Sequence, residues 1–133
     1  MNKILIILAF LVVALFVMYY IIWENNGIVL NIQHENISHI EIHSQKSKKK
    51  IDTKENDIIK KIVKELNNSK YHLSSDNQIG SSSPDAWIIM HDELGVRSNL
   101  YFYGDIAMYN KEKYKCSIFI YNKINNIIDK YGN

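Results

Sequence analysis

His39, Glu41 and His43, which alternate with isoleucines, come nearest to a chemical motif in this sequence. Imidazole and carboxylate groups bind transition metals, and residues two apart on a β-strand project to the same side about 6.5–7 Å apart. Glu41 could therefore share a metal ion with either histidine. His39 and His43 would lie about 13 Å apart on an ideal strand, whereas each ligand of one ion lies within about 2.0–2.3 Å of it. We therefore interpret the three as a solvated strand face and predict no metal and no other cofactor. The remaining histidines have no partners at a recognisable spacing: His34, His72 and His91.

Serine, cysteine and acidic residues elsewhere in the sequence do not form a catalytic pattern. The serines at 81–83 lack a nucleophile elbow, and the single cysteine, Cys116, has no evident activating histidine. Cys116 cannot form an internal disulfide, and we predict that it is a small buried apolar residue. The pair Asp92-Glu93 falls in a predicted turn, where exposure to solvent is enough to explain two adjacent acidic residues. We predict no catalytic residue.

Alternating apolar and polar residues predict the strands that carry these side chains. Ile40 and Ile42 should face a core, so that His39, Glu41 and His43 face away from it. The lysine-rich segment 44–50 is predicted to be a turn, and the sequence also allows an exposed strand that ends at Ile51. Gly104-Asp105 suits a two-residue hairpin loop, because glycine tolerates the positive φ that such turns require. Further strands are predicted at 28–32, 85–91, 96–103, 106–110 and 114–116.

Two amphipathic helices are predicted to cover the sheet. Asp52-Thr53-Lys54-Glu55 resembles a capping box, so the first helix should run from there to about Asn67. Ser117 should cap the second helix, and Gly132 lies just past its end. The polar run 67–84, which contains the only proline, is predicted to be a mobile loop. The first apolar stripe comprises Ile58, Ile59, Ile62, Val63 and Leu66. The second comprises Ile120, Tyr121, Ile124, Ile127, Ile128 and Tyr131. This order of elements predicts the α+β class, with a small antiparallel sheet and two helices packed on one face.

Residues 4–23 form an unbroken apolar run without charge, proline or glycine, between Lys3 and Glu24. A helix of this length covers roughly the 30 Å hydrocarbon core of a bilayer at about 1.5 Å rise per residue. The alternative is a cleaved secretory signal, which has an apolar core of roughly 7–15 residues and small residues at the cleavage site. This run is longer and ends in bulky residues, the last of them Trp23. We therefore predict an uncleaved signal anchor that contacts the lipid bilayer.

The flanking charges predict the orientation of this anchor. Lys3 and the α-amino group precede the run and an acidic residue follows it, so the positive-inside rule places the N-terminus in the cytoplasm. The protein would then be a single-pass membrane protein with an extracellular C-terminal domain. Its predicted segments are a cytoplasmic N-terminus at 1–3, a transmembrane anchor at 4–23, a short linker at 24–27 and an extracytoplasmic domain at 28–133.

Charge and composition narrow the classes of partner. The chain has 16 basic and 14 acidic residues and a net charge of +2, so it lacks the basic footprint of a nucleic-acid-binding protein, and we predict no nucleic-acid partner. Isoleucine, asparagine and lysine are abundant while alanine, proline and arginine are scarce. This composition is typical of proteins from low-GC Gram-positive bacteria, in which the outside of the membrane is the cell surface.

Three local patterns carry a resemblance to a known family. They are an Ile51-Asp52-Thr53-Lys54-Glu55 helix start, a Ser83-Pro84 turn before the Trp87-Ile88-Ile89 strand, and tyrosine-rich strands before a closing helix. Over residues 28–131 the chain resembles a family of uncharacterised small domains, carried by membrane-anchored proteins and lipoproteins of low-GC Gram-positive bacteria. The resemblance implies a similar domain but no activity and no functional residue. A transmembrane anchor here stands in place of the lipidated cysteine of some members.

Two hypotheses of function follow. The first is a surface-tethered binding or interaction module with a protein partner at the cell surface: a sensor, an accessory subunit or an immunity-type protein. The alternative is a weakly marked cell-envelope hydrolase or metal-dependent enzyme. If the helices cover one sheet face, Tyr101, Tyr103 and Met108 form an aromatic patch on the other, with the loop 74–84 at its rim. We predict that this patch binds the partner. The opposing interpretation is that the patch is core beneath the loop or a helix.

Overall fold

A computed structural model describes residues 2–74, 83–116 and 118–133 of the chain. Within these residues a long N-terminal helix precedes a domain of seven strands and two further helices, which confirms the predicted α+β class. The helices are α1 (Lys3–Asn25), α2 (Asn56–Asn67) and α3 (Ile118–Tyr131). The strands are β1 (His39–Ser44), β2 (Ile51–Thr53), β3 (Tyr71–Leu73), β4 (Ala86–His91), β5 (Arg97–Tyr103), β6 (Ile106–Tyr109) and β7 (Glu112–Cys116).

The strands form one antiparallel sheet in the order β2-β1-β4-β5-β6-β7-β3. The hairpin of β5 and β6 turns at the predicted two-residue loop Gly104-Asp105, which places Tyr101 opposite Met108 and Tyr103 opposite Ile106. Gly104 in its turn has φ 63°, a conformation that glycine adopts without strain. From β4 to β7, strands that are consecutive in the sequence are therefore also neighbours in the sheet.

Both domain helices pack on one side of the sheet, which we call the core face. Ile40, Ile42 and Ile88 on this face are fully buried, and the predicted apolar stripes of α2 and α3 pack against it. The opposite side, the outer face, carries the alternate residues of β1, β4 and β5, which are half-buried apart from the exposed Arg97. The predicted separation of Ile40 and Ile42 from His39, Glu41 and His43 is therefore confirmed. The buried stripe residues are Ile59, Ile62, Val63 and Leu66 of α2 and Ile120, Ile124 and Ile128 of α3.

The predicted strand at 28–32 is wrong. Only Ile28 forms a β-bridge, with Tyr71. Leu30 and Ile32 are buried nonetheless, and the side chain of Asn67 takes the role of a neighbouring strand. It accepts a hydrogen bond from the Ile32 N–H at 3.0 Å and donates one to the Ile32 carbonyl at 2.9 Å. A side chain satisfies the backbone N–H and carbonyl of Ile32 in place of a neighbouring strand. The pattern of apolar and polar residues in the sequence does not show such a contact.

The predicted capping box is wrong as well. Asp52 and Thr53 belong to β2, which pairs with β1, and α2 begins only at Asn56. The Thr53 hydroxyl accepts a hydrogen bond from the Glu55 N–H, in a local turn that ends the strand. Burial of Ile51 favours the strand, because pairing with β1 removes this side chain from water.

The run 67–84 contains a strand that the sequence analysis did not predict. Residues Tyr71–Leu73 pair with β7 at the edge of the sheet, and Tyr71 is fully buried. Residues 75–82 of the predicted mobile loop lie outside the described residues, as does the predicted cap Ser117.

Cys116 is buried at the end of β7, as the sequence analysis expected. Burial, assisted by the charge of Asp105, raises the pKa of its thiol to about 12. Only the thiolate attacks disulfide reagents, so we expect the folded protein to react with Ellman's reagent at pH 8 at least about 100-fold more slowly than the chain in urea. Absorbance of the released thionitrobenzoate measures both rates. A Cys116→Ser variant controls for background, and equal rates for the folded and unfolded chain would contradict this placement.

Candidate functional site

The outer face carries two groups of side chains that could act on a ligand. The first, the histidine–carboxylate cluster, consists of His39, Glu41, Asp52 and His91. The second, the aromatic face, consists of Trp87, Tyr101, Tyr103, Ile106 and Met108. The cluster lies over β2, β1 and β4, and the aromatic face lies over β4, β5 and β6.

Strand register assembles the histidine–carboxylate cluster. His39 of β1 is opposite His91 of β4, and Glu41 of β1 is opposite Asp52 of β2. Residues in such cross-strand positions have Cβ atoms about 4.5–5.5 Å apart and project to the same side of the sheet. The cluster therefore combines Asp52 of β2 and His91 of β4 with two side chains of β1, the strand between them.

Hydrogen bonds connect the four side chains in pairs. His39 Nε2 contacts Asp52 Oδ1, and His91 Nε2 donates to Glu41 Oε2 at 3.0 Å. The two imidazole rings stack with their centroids 4.8 Å apart. The hydrogen bond from His39 holds the pKa of the Asp52 carboxyl below its usual range. Asp52 is therefore a carboxylate at neutral pH, which is the form that ligates a cation.

The cluster includes a set of groups that could hold a metal ion. His39, Glu41 and Asp52 each offer one ligand atom, and these three atoms lie within 4.8 Å of one another. Imidazole nitrogen and carboxylate oxygen are both zinc ligands. A fourth position would stay open for water or another molecule.

His43, the third residue of the sequence motif, does not join this group. Its ring stacks on Trp87 with the centroids 5.1 Å apart. Strand spacing allows Glu41 to share a metal ion with either His39 or His43, and the structure groups it with His39 and adds Asp52 and His91. The local sequence around Asp52 resembles a helix start and His91 has no partner at a recognisable spacing, because the pairings of β1 with β2 and β4 are not local in the chain.

The aromatic face includes the three residues predicted to form a patch. Tyr101, Tyr103 and Met108 are half-buried on the outer face, while their neighbours Leu100, Phe102 and Ala107 are fully buried in the core. Trp87 lies opposite Tyr101 on the adjacent strand. The patch is thus separate from the core that α2 and α3 cover. The part of the predicted rim at 75–82 lies outside the described residues.

Two lysines of β7 lie beside the aromatic face. Lys113 of β7 is opposite Met108, and Lys115 is opposite Ile106. Lys115 also lies 4.0 Å from Asp105 in an exposed ion pair, which contributes little to stability. The apolar centre therefore has a basic border on this side.

Helix α1 meets the domain at the edge strand β3. The Trp23 ring, near the end of the helix, stacks on the His72 ring with the centroids 3.7 Å apart. Residues 4–22 of the helix are all exposed, including their large apolar side chains. Helix α1 is long and apolar enough to cross a membrane, a property shared by anchors and signal sequences.

No protein-family model, curated protein or solved structure matches this chain.

Proposed function

We propose that the protein is a membrane-tethered binding module that holds a protein partner at the cell surface through its aromatic face. The observation that carries the proposal is that β5 has two apolar faces. Leu100 and Phe102 supply the core, while Tyr101 and Tyr103 are only half-buried on the outer face. An antiparallel sheet usually presents polar residues to water on its free side. Exposed clusters of aromatic residues and methionine are enriched in protein interfaces.

The membrane part of the proposal rests on α1. Its apolar side chains from Ile4 to Ile22 are exposed around the whole helix, and a bilayer is the environment in which such a surface is stable. Lys3 favours a cytoplasmic N-terminus and hence an extracytoplasmic domain. The abundance of isoleucine, asparagine and lysine favours the surface of a low-GC Gram-positive cell.

The chemistry of the aromatic face suggests the partner. Trp87 and Tyr101 offer large, rigid contact surfaces, which are typical of the residues that dominate binding energy, and Met108 adds a flexible apolar side chain beside them. Lys113 and Lys115 at the border would be complementary to acidic residues around an apolar centre of the partner. We therefore expect a protein partner with an apolar patch and acidic residues beside it.

Site-specific photo-cross-linking in intact cells tests this proposal. A photoreactive amino acid in place of Tyr101 should cross-link a discrete protein, and the same amino acid in place of Lys60, exposed on α2, should not. A Tyr103→Lys substitution should abolish the Tyr101 product, because it places a charge within the apolar centre. Equal products from both positions, or none from Tyr101, would contradict a partner on this face.

Stability measurements on β5 separate the patch from the core. We expect Phe102→Ala to lower the free energy of unfolding by about 3–5 kcal/mol, because it leaves a cavity in the core. The double variant Tyr101→Lys and Tyr103→Lys should lower it by no more than about 1 kcal/mol, as expected for surface substitutions. Urea unfolding of the full chain in detergent, followed by tryptophan fluorescence, measures both. A collapse of the double variant would mean that the aromatic face is core.

A further inference from the structure

We propose that His39, Glu41 and Asp52 bind a divalent transition-metal ion, of which Zn²⁺ is the representative, and that His91 positions Glu41 for this role. The site lies near the β2 edge of the sheet and goes beyond the binding function proposed above. It does not rest on the aromatic face, so either proposal can fail alone.

The ligand atoms lie nearly close enough together for a single ion. Zn²⁺ lies about 2.0–2.2 Å from nitrogen and oxygen ligands, so two ligands of one ion are at most about 4.4 Å apart. The three candidate atoms lie within 4.8 Å of one another, slightly beyond this limit. Binding would therefore draw the three side chains together by a few tenths of an ångström.

The charges also favour a cation. Glu41 and Asp52 are directly opposite on adjacent strands, and like charges in this position destabilise a sheet. With neutral imidazoles the cluster carries two negative charges, which a divalent ion would balance. The carboxylates of Glu41 and Asp52 thus repel each other on the outer face of the sheet, and both would attract a cation bound between them.

His91 provides the support that metal ligands usually have. Its Nε2–H donates to Glu41 Oε2, because a carboxylate only accepts, and its ring stacks on His39. Hydrogen-bonded partners of this kind orient the ligands, and their loss typically weakens metal binding 10–100-fold. His91 would therefore act on both His39 and Glu41 without contacting the ion.

The strands hold the site rigidly and leave it accessible. Ile40 and Ile42, which flank Glu41, are fully buried, so β1 is fixed by the core beneath it. The side chains of His39 and Glu41 are 23% and 28% exposed, and that of Asp52 is 53% exposed. An ion can enter from solvent, and three protein ligands leave a coordination position open for water or a ligand from another molecule.

The ligand types select the class of metal. Imidazole suits Zn²⁺ and its neighbours in the transition series, whereas Mg²⁺ and Ca²⁺ prefer oxygen ligands alone. The untagged full chain in detergent, stripped with a chelator, is titrated with Zn²⁺ by calorimetry. We expect one equivalent of Zn²⁺ to bind with a Kd of about 1 μM or lower, and Mg²⁺ and Ca²⁺ to bind at least about 100-fold more weakly.

Substitutions locate the ion. His39→Ala and Asp52→Asn should each weaken Zn²⁺ binding at least about tenfold, and His91→Ala should weaken it about 10–100-fold. His43→Ala is the matched control, because His43 lies on the same strand and face but stacks on Trp87, and it should leave the Kd unchanged. No binding below about 100 μM, or equal losses in the His43 and His39 variants, would overturn the site.

A measurement on the unsubstituted chain removes any dependence on how the variants fold. In ¹⁵N-histidine spectra, Zn²⁺ should shift the ring resonances of His39 and His91 and leave those of His43 unchanged. Added Zn²⁺ should also raise the unfolding temperature of this chain, because it binds only the folded state. Shifts confined to His34, His43 or His72 would place the ion elsewhere and overturn the proposal.

Discussion

Removal of residues 1–25 is expected to transfer the protein completely from the membrane fraction to the soluble fraction. Each leucine, isoleucine, valine or phenylalanine near the centre of a spanning helix contributes about −0.3 to −0.6 kcal/mol to insertion. The exposed apolar side chains of α1 together contribute several times this amount. The shortened chain retains Ile28, whose bridge to Tyr71 joins the linker to the sheet, and loses the stack of Trp23 on His72. Ultracentrifugation of lysed cells and immunoblotting measure the transfer.

Substitutions in the full-length chain test whether release depends on the apolar character of α1 and not on the shortening of the chain. Leu11→Arg together with Val12→Arg places two charges at the centre of α1, at about 2.5–3.5 kcal/mol each, and should also release the protein. Leu11→Ile together with Val12→Leu should leave it on the membrane. A mature N-terminus after Trp23 would identify α1 as a cleaved signal, and a shortened chain that stays on the membrane would show that the domain itself binds there.

The parts of the fold that depend on neighbouring residues could be predicted from the sequence. The β5–β6 hairpin follows from the turn at Gly104-Asp105, and the stripes of α2 and α3 follow from the spacing of isoleucines. Alternation around Ile40 and Ile42 correctly separated the two sides of β1. In each case the determining interaction lies within a few residues, so the local pattern is sufficient.

The histidine–carboxylate cluster could not be predicted in the same way. Asp52 and His91 lie 11 and 50 residues from Glu41 in the sequence, and only the register of three strands brings them together. The segment 51–55 satisfies a capping-box pattern, so its local signal favours a helix. Burial of Ile51 and pairing with β1 outweigh that signal, which is a tertiary effect. A register shift of one residue would turn Asp52 to the core face.

Loss of helix α3 is expected to abolish cooperative folding of the domain. A chain that ends at Cys116 would expose the part of the core face that Ile120, Ile124 and Ile128 cover. Burial of each such side chain contributes about 1.5–3 kcal/mol, so the three together approach the entire 5–15 kcal/mol of a typical domain. The buried hydrogen bond from Ser44 Oγ to Asn125 Oδ1, at 2.6 Å, would also be lost. We expect aggregation on gel filtration in detergent and no cooperative urea transition.

Point substitutions in α3 test the same docking without shortening the chain. Ile124→Asp places an unpaired carboxylate in the core and should be as disruptive as the truncation, because a buried charge without a partner is strongly unfavourable. Asn126→Asp, at an exposed position two residues along the same helix, should change the free energy of unfolding by no more than about 0.5 kcal/mol. If Ile124→Asp unfolds cooperatively with the midpoint of the unsubstituted chain, α3 does not supply the core, and the sheet must be stable beneath α2 alone.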